Sequence, residues 1–120
     1  MDDRPLAAIT MGDPAGIGPE VTARALQDER VYKNCRPFVI GSAAAMDDAL
    51  SLIEAPVSTH VAHSLDDVVG RPGAIDVLDM ENLDYGAITY GQVSAAAGKA
   101  SVEWILKAGE LAALGQIQAI

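Results

Sequence analysis

ITMGDPAGIGPE, residues 9 to 20, joins a short apolar run to a segment with helical signals. On the upstream side, Leu6 to Thr10 is apolar and follows Pro5, the pattern of a strand buried on both faces. On the downstream side, Gly18-Pro19-Glu20 starts a helix. Proline is favoured in the first helical turn, and an acidic side chain there complements the helix dipole. Val21, Ala25 and Leu26 supply an apolar side to that helix. A strand, a glycine-rich loop and a helix in succession point to an α/β fold built on a parallel sheet.

The pattern repeats outward from this unit. Pro37 to Gly41, PFVIG, reads as a second strand, and Ser42 as the N-cap of a helix running to about Leu52. Val57 to Ala62 and Ala74 to Leu78 are further strand candidates, the latter following a Pro-Gly turn. Between them, Ser64 with Leu65, Asp66 and Asp67 looks like a capped helical turn. Gln92 to Leu114 contains almost no helix breaker except Gly98 and Gly109, and Gly115 supplies a stop. Such a helix is roughly 35 Å long. Gly98, Val102, Ile105, Gly109 and Ala112 recur at three- and four-residue spacing, a stripe expected to lie close to a sheet or another helix. Gln116 to Ile120 reads as the start of another strand. A buried strand needs neighbours for its backbone groups, so the chain is expected to be the N-terminal part, residues 1–120, of a larger α/β protein, with no internal boundary.

The loop Gly12-Asp13-Pro14-Ala15-Gly16-Ile17-Gly18 invites comparison with phosphate-binding loops. A P-loop requires a lysine after its last glycine, and none is present. The dinucleotide fingerprint, begun at Gly16 and Gly18, places Val21 where its third glycine belongs. Pro19 removes an amide donor, and Asp13 and Glu20 bring negative charge where a phosphate would sit. The glycines instead permit a sharp turn and close approach by a flat or neutral group, or by neighbouring backbone. Two prolines and two carboxylates within Asp13 to Glu20 are more constraint than a connection needs, which favours a ligand-facing loop.

Composition narrows the function classes. The 120 residues are half apolar, enough for one core. Seventeen acidic residues against eight basic ones leave a net charge of −9, which repels polyanions and argues against nucleic-acid binding. Arg24, Arg30, Lys33 and Arg36 fall close together, most simply as a solvated helix end and loop. Cys35 is the single cysteine, so no disulfide or multi-cysteine zinc site forms within one chain. The start MDDRPLAA is acidic where a secretory signal is basic, and no run reaches the roughly 18 apolar residues of a membrane span. A soluble, unprocessed cytoplasmic protein is the expectation.

ITMGDPAGIGPEV is similar to the opening of the 4-hydroxythreonine-4-phosphate dehydrogenase family, including its D-threonate and D-erythronate 4-phosphate dehydrogenase relatives. PFVIG, Gly91-Gln92 before a long helix with Gly98, and GELAALGQIQAI fit the same family, so the resemblance spans the chain and is weakest between Leu50 and Asp84. It implies an isocitrate/isopropylmalate dehydrogenase-like fold. It also implies NAD or NADP as oxidant, a divalent metal (zinc, magnesium or cobalt) and a homodimer. The implied reaction oxidises the hydroxyl of 4-phosphohydroxy-L-threonine or a similar phosphorylated hydroxy-acid, and the keto acid then loses carbon dioxide. Gly12, Asp13, Pro14, Ala15, Gly16 and Ile17 are the implied cofactor-side residues. The family's metal, phosphate and substrate ligands lie beyond position 120, so none is assigned here, and no catalytic residue is assigned either.

Several residues keep two readings. Asp13 either accepts a hydrogen bond from a cofactor or substrate hydroxyl or caps its own turn; Glu20 is chiefly a helix-dipole residue. His60 and His63 are read as surface histidines ahead of a metal pair. Gln92, Ser94 and Lys99 are read as a cap region ahead of a cleft wall, and Trp104 as core or interface packing. The competing function, from another class, is a non-catalytic binding or regulatory module that retains only this half of the fold.

Overall fold

The computed structural model describes residues 2–120. Strands β1 (Leu6–Thr10), β2 (Arg36–Ile40), β3 (Ser58–Ala62) and β4 (Ala74–Leu78) form one sheet in the order β1-β2-β4-β3, and every pair is parallel. Helices α1 (Gly18–Ala25), α2 (Glu29–Asn34), α3 (Ala43–Leu52) and α4 (Ala95–Ala113) connect or flank these strands. The architecture is therefore the parallel α/β class expected from the strand-loop-helix pattern. Strand positions agree with the apolar runs to within a residue, because apolar runs bounded by turn residues mark strands covered on both faces. Phe38, Val39 and Ile40 of β2 are all fully buried despite alternating in direction.

Chain direction explains the layers. From β1 through β2 to β3 the chain advances across the sheet, then returns to insert β4 between β2 and β3. Right-handed crossovers put the first two connections on one face and the later ones on the other. Accordingly α1 packs on α3, which packs on β3, whereas α4 lies against β1 and β2. After α4 the chain returns to the outer edge of β1: Ala119 bridges Ala7 in parallel, and its carbonyl accepts from the Ala8 amide at 3.0 Å. Gln118 holds the same edge, its side-chain oxygen accepting from the Leu6 amide at 2.8 Å. The segment from Gln116 thus takes the strand direction expected of it, realised as a single bridge.

Several helical details differ from expectation. Val21 and Ala25 face solvent, and α1 buries Pro19, Thr22 and Ala23, with Leu26 at its end. Helix α2 went unread, although Asp28 caps it through the Arg30 amide at 2.9 Å. On α4 the stripe Gly98, Val102, Ile105, Gly109 and Ala112 is exposed, and the buried face is Ala97, Ala100, Trp104, Ala108 and Leu111. Trp104 sets this rotation. Its indole is fully buried and donates from Nε1 to Asn82 Oδ1 at 3.0 Å, and the alanines around it let the helix approach the sheet closely. Burying one indole outweighs burying a valine and an isoleucine partway. Ser94 caps α4 through the Ala97 amide, and Gly115 ends it with φ +72°. The turn at Leu65–Asp67 is present as one 3₁₀ turn, but the Ser64 side chain does not cap it.

Met11, directly after β1, is where the layers meet. Its amide donates to the Ile40 carbonyl at 3.1 Å, and its side chain is 1 % exposed. A Cβ at Gly18 would overlap the Met11 carbonyl oxygen, and one at Gly41 would sit 2.7 Å from the Met11 Cβ. Replacing Gly18 by alanine is therefore expected to destabilise the fold by about 2 kcal/mol or more, because backbone rather than a flexible side chain must yield. Gly98→Ala, whose added methyl meets nothing within 4 Å, is expected to stabilise by about 0.5–1 kcal/mol through helix propensity. Urea unfolding of both variants checks the pair; equal effects would remove the close-approach argument.

Candidate functional site

The β1–α1 loop leaves the sheet through Gly12, whose φ of +78° is open to glycine and strained for other residues. Asp13 then folds the loop back on itself. Its Oδ1 accepts from the Ala15 amide at 2.8 Å, and its carbonyl accepts from the Gly16 amide at 3.0 Å. Of the two readings of Asp13, the turn cap is therefore made. Pro14 and Ala15 are buried, and the Ala15 carbonyl accepts from the Gly91 amide at 2.6 Å. That bond ties the loop to the segment leading into α4. Ile17 projects outward, 69 % exposed.

A cavity of about 380 Å³ opens beyond the carboxyl ends of β1 and β2, between this loop, α3 and the segment around Tyr85 and Tyr90. Pro14, Gly16, Pro19 and Glu20 form its loop side, and Ala45, Asp48 and Ser51 are among its α3 residues. Of the six loop residues singled out from sequence, Pro14 and Gly16 thus reach the cavity wall. Gly12, Asp13 and Ala15 shape the turn behind it, and Ile17 lies outside it. The two tyrosines were missed; three tyrosines in the chain, two of them in DYGAITYG, were the available signal.

The wall is apolar and acidic. Tyr90 donates its hydroxyl to Glu20 Oε1, and this bond to the carboxylate raises the Tyr90 phenol. Burial, and then hydrogen bonding to Asp48, pushes Tyr85 up to about 12. Both phenols are therefore neutral donors at pH 7. No lysine, arginine or histidine lines the cavity. Two amides of the nearby α3 N-terminus are already taken: Ser42 Oγ accepts from the Ala45 amide at 3.2 Å, and Asp79 Oδ2 from the Ala43 amide at 2.9 Å. A carboxylate thus occupies the place where a helix start would hold an anion.

The other candidates have structural employment. His60 Nδ1 lies 2.7 Å from Asp76 Oδ1 across β3 and β4, and Asp76 is buried. Asp76 Oδ2 accepts from the Gly70 and Val69 amides at 2.8 and 3.2 Å, fixing the turn before β4. His63 uses its backbone amide, which donates to Asp67. Among the described residues no cluster of three or more histidine, cysteine or carboxylate side chains is placed to hold a metal ion. Arg30 pairs with Asp28, and Arg36 Nε donates to the Arg4 carbonyl, so the basic stretch does not converge on one site. Gln92, Ser94 and Lys99 stay outside the cavity. Trp104 is core.

The family described as "Pyridoxal phosphate biosynthetic protein PdxA" matches residues 33–120. The chain belongs to the PdxA family. It is 33 % identical over its whole length to a Clostridium botulinum protein named "Putative D-threonate 4-phosphate dehydrogenase", of which it covers 36 %. It is 38 % identical over 119 residues, 99 % of its length, to a 4-hydroxythreonine-4-phosphate dehydrogenase of Desulforapulum autotrophicum, covering 35 % of that protein. Its fold superposes on the crystal structure of a 4-hydroxythreonine-4-phosphate dehydrogenase from Burkholderia phymatum with a TM-score of 0.92 at 35 % identity. That match covers 99 % of this chain and 36 % of the other. The chain thus spans about a third of the length of these PdxA-family relatives.

Two measurements separate the scaffold from the cavity wall. Asp76→Ala is expected to cost about 3 kcal/mol, since it strands the buried Gly70 amide, a part-buried amide at Val69 and a histidine, against about 1 kcal/mol for His60→Ala; similar losses in urea titrations would contradict that ranking. Tyr85 has a folded pKa above its unfolded value. Its contribution to stability is therefore complete below pH 10 and lost as pH rises towards about 12. Tyr85→Phe should remove one late step from the tyrosinate absorbance titration, and loss of a step near pH 10 instead would place Tyr85 in open solvent.

Proposed function

We propose that the chain is the N-terminal, cofactor-side part of an NAD- or NADP-dependent dehydrogenase acting on 4-phosphohydroxy-L-threonine or a closely similar phosphorylated hydroxy-acid. The carrying observation is the β1–α1 loop of a PdxA-family chain, which places Pro14 and Gly16 on a cavity beyond the carboxyl ends of the strands. In open parallel sheets that edge is where ligands bind. The names of the relatives, one for D-threonate 4-phosphate and one for 4-hydroxythreonine 4-phosphate, support a phosphorylated hydroxy-acid as substrate class. The fold assignment extended to the whole protein is isocitrate/isopropylmalate dehydrogenase-like, with a homodimer as the working assembly and the cytoplasm as its compartment. No helix of the described residues is long and apolar enough to cross a membrane.

Within this reading the chain's own work is positional. Asp13 and Gly12 hold the loop in a sharp turn, Gly18 seats it against Met11, and Gly91 ties it to the segment before α4. Such rigidity holds a bound ring in one orientation and keeps water from its buried face. NAD or NADP would supply the hydride acceptor, and a divalent metal would need donors other than the described residues.

The test is turnover by the full-length protein. NADH or NADPH absorbance should rise with 4-phosphohydroxy-L-threonine or with D-threonate or D-erythronate 4-phosphate, and a chelator should stop it. Release of carbon dioxide in proportion would establish the decarboxylation step. No reduced cofactor with any of these substrates, metal present, would leave the non-catalytic binding module as the correct class.

A further inference from the structure

Helix α4 is apolar on two sides, and the fold covers one of them. Ala97, Ala100, Trp104, Ala108 and Leu111 face the sheet and are buried. Val102, Ile105, Leu106, Gly109, Ala112 and Ala113 recur at the spacing of a second helical face, and all six are exposed. Val102, Ile105 and Leu106 keep 55, 56 and 66 % of their surface in water. The charged residues of the same turns point elsewhere: Glu103 Oε1 accepts from Asn82 Nδ2 at 3.3 Å, and Lys107 lines a groove beside Ser64, Leu65 and Val68. These contacts turn the charged flank of α4 towards β4 and the Leu65–Asp67 turn. At 3.6 residues per turn the second apolar face then looks outward and towards the free side of β1. A helix apolar on both faces belongs in an interior.

The outer edge of β1 indicates what covers it. Gln118 and Ala119 reach that edge running parallel to β1, and the chain spans only 36 % of its PdxA-family relatives. A strand continued along this line widens the sheet beyond β1, in the direction already taken by the crossover that contains α4. A further right-handed crossover in that direction places its helix on the face of the sheet that α4 occupies, on the side to which the apolar residues turn. We propose that this face of α4 is the seat of a helix from the later part of the full-length polypeptide, packed along α4 within the same molecule. Val102, Ile105 and Leu106 fill the seam, and Gly109, Ala112 and Ala113 let the two axes approach to about 8 Å. A second copy of the chain is the poorer occupant, since two bodies of charge −9 repel each other. The proposal rests on the reading of the chain as the N-terminal part of a longer protein, and not on the reaction assigned to it.

Thiol labelling of the full-length protein tests the covering. With its other cysteines replaced by serine, Ile105→Cys should react about tenfold or more slowly in the folded protein than in urea, and equally slowly after about a hundredfold dilution. Ala112→Cys, a smaller change on the same face, gives the same readout if Ile105→Cys does not fold. A photo-crosslinking benzoylphenylalanine in place of Leu106 identifies the occupant. In a mixture of isotopically heavy and light protein, its adduct should join α4 to a helical peptide beyond residue 120 of the same molecule. Labelling at the rate found in urea would show an open face and overturn the proposal. Protection lost on dilution, or adducts between heavy and light copies, would make the face a contact between copies and overturn it equally. Turnover of NAD by a full-length protein whose α4 face labels freely would defeat this inference alone. Protection with an adduct in the same molecule, but without turnover, would leave it standing and remove the dehydrogenase assignment.

Discussion

Everything near the cavity depends on how closely the backbone passes Met11. The carbonyl of Met11 abuts Gly18, its side chain abuts Gly41, and its amide is bonded to Ile40. One residue thereby fixes the exit of β1, the start of α1 and the exit of β2 relative to one another. None of these approaches tolerates a Cβ without backbone movement, so the glycines are steric requirements of the packing rather than points of looseness. The loop between Met11 and Gly18 is short, turned through Asp13 and anchored at both ends. Its geometry is consequently a property of the sheet, which is the condition for placing a ligand to within a fraction of an ångström.

A second constraint joins the loop to the far side of the molecule. The segment leaving β4 crosses the carboxyl edge, contributes Tyr85 and Tyr90 to the cavity, bonds Gly91 to Ala15 and then enters α4 on the other face. Asn82 in the same segment anchors Trp104. A buried indole under one face and a cavity wall at the edge are therefore held by one stretch of chain. The stretch is held at its near end by the Asn82–Trp104 bond and at its far end by the Gly91–Ala15 and Tyr90–Glu20 bonds, so core and cavity wall share one tether.

Much of this was legible. Strands announce themselves as apolar runs with turn residues at both ends, and Ser42, Ser94, Pro19 and Gly115 mark helix ends by local chemistry that survives in the fold. Gly12, Asp13, Pro14 and Gly16 marked a constrained loop, and the turn made by Asp13 is the one its side chain permits locally. What failed depends on distance in sequence. The exposed stripe Gly98 to Ala112 and the buried stripe around Trp104 both have helical period, and the choice between them is made by Asn82 and the sheet, which periodicity does not contain. Likewise the pairing of Tyr90 with Glu20 and of His60 with Asp76 spans 70 and 16 residues, so neither local propensity nor motif spacing announces it.

The charge distribution keeps the cations of this chain away from the cavity. Arg4 donates to the carbonyls of Tyr32 and Gly70, Arg36 to that of Arg4, and Arg30 is paired with Asp28. These cations act as scaffold at the end of the sheet opposite the cavity or at the surface, and none reaches the cavity. With Glu20, Asp48 and Asp79 near the carboxyl edge, a phosphate approaching it meets like charge and no bidentate partner. The edge beyond β1 and β2 is in this way an acidic, rigid wall, and it disfavours an approaching anion before any contact is made.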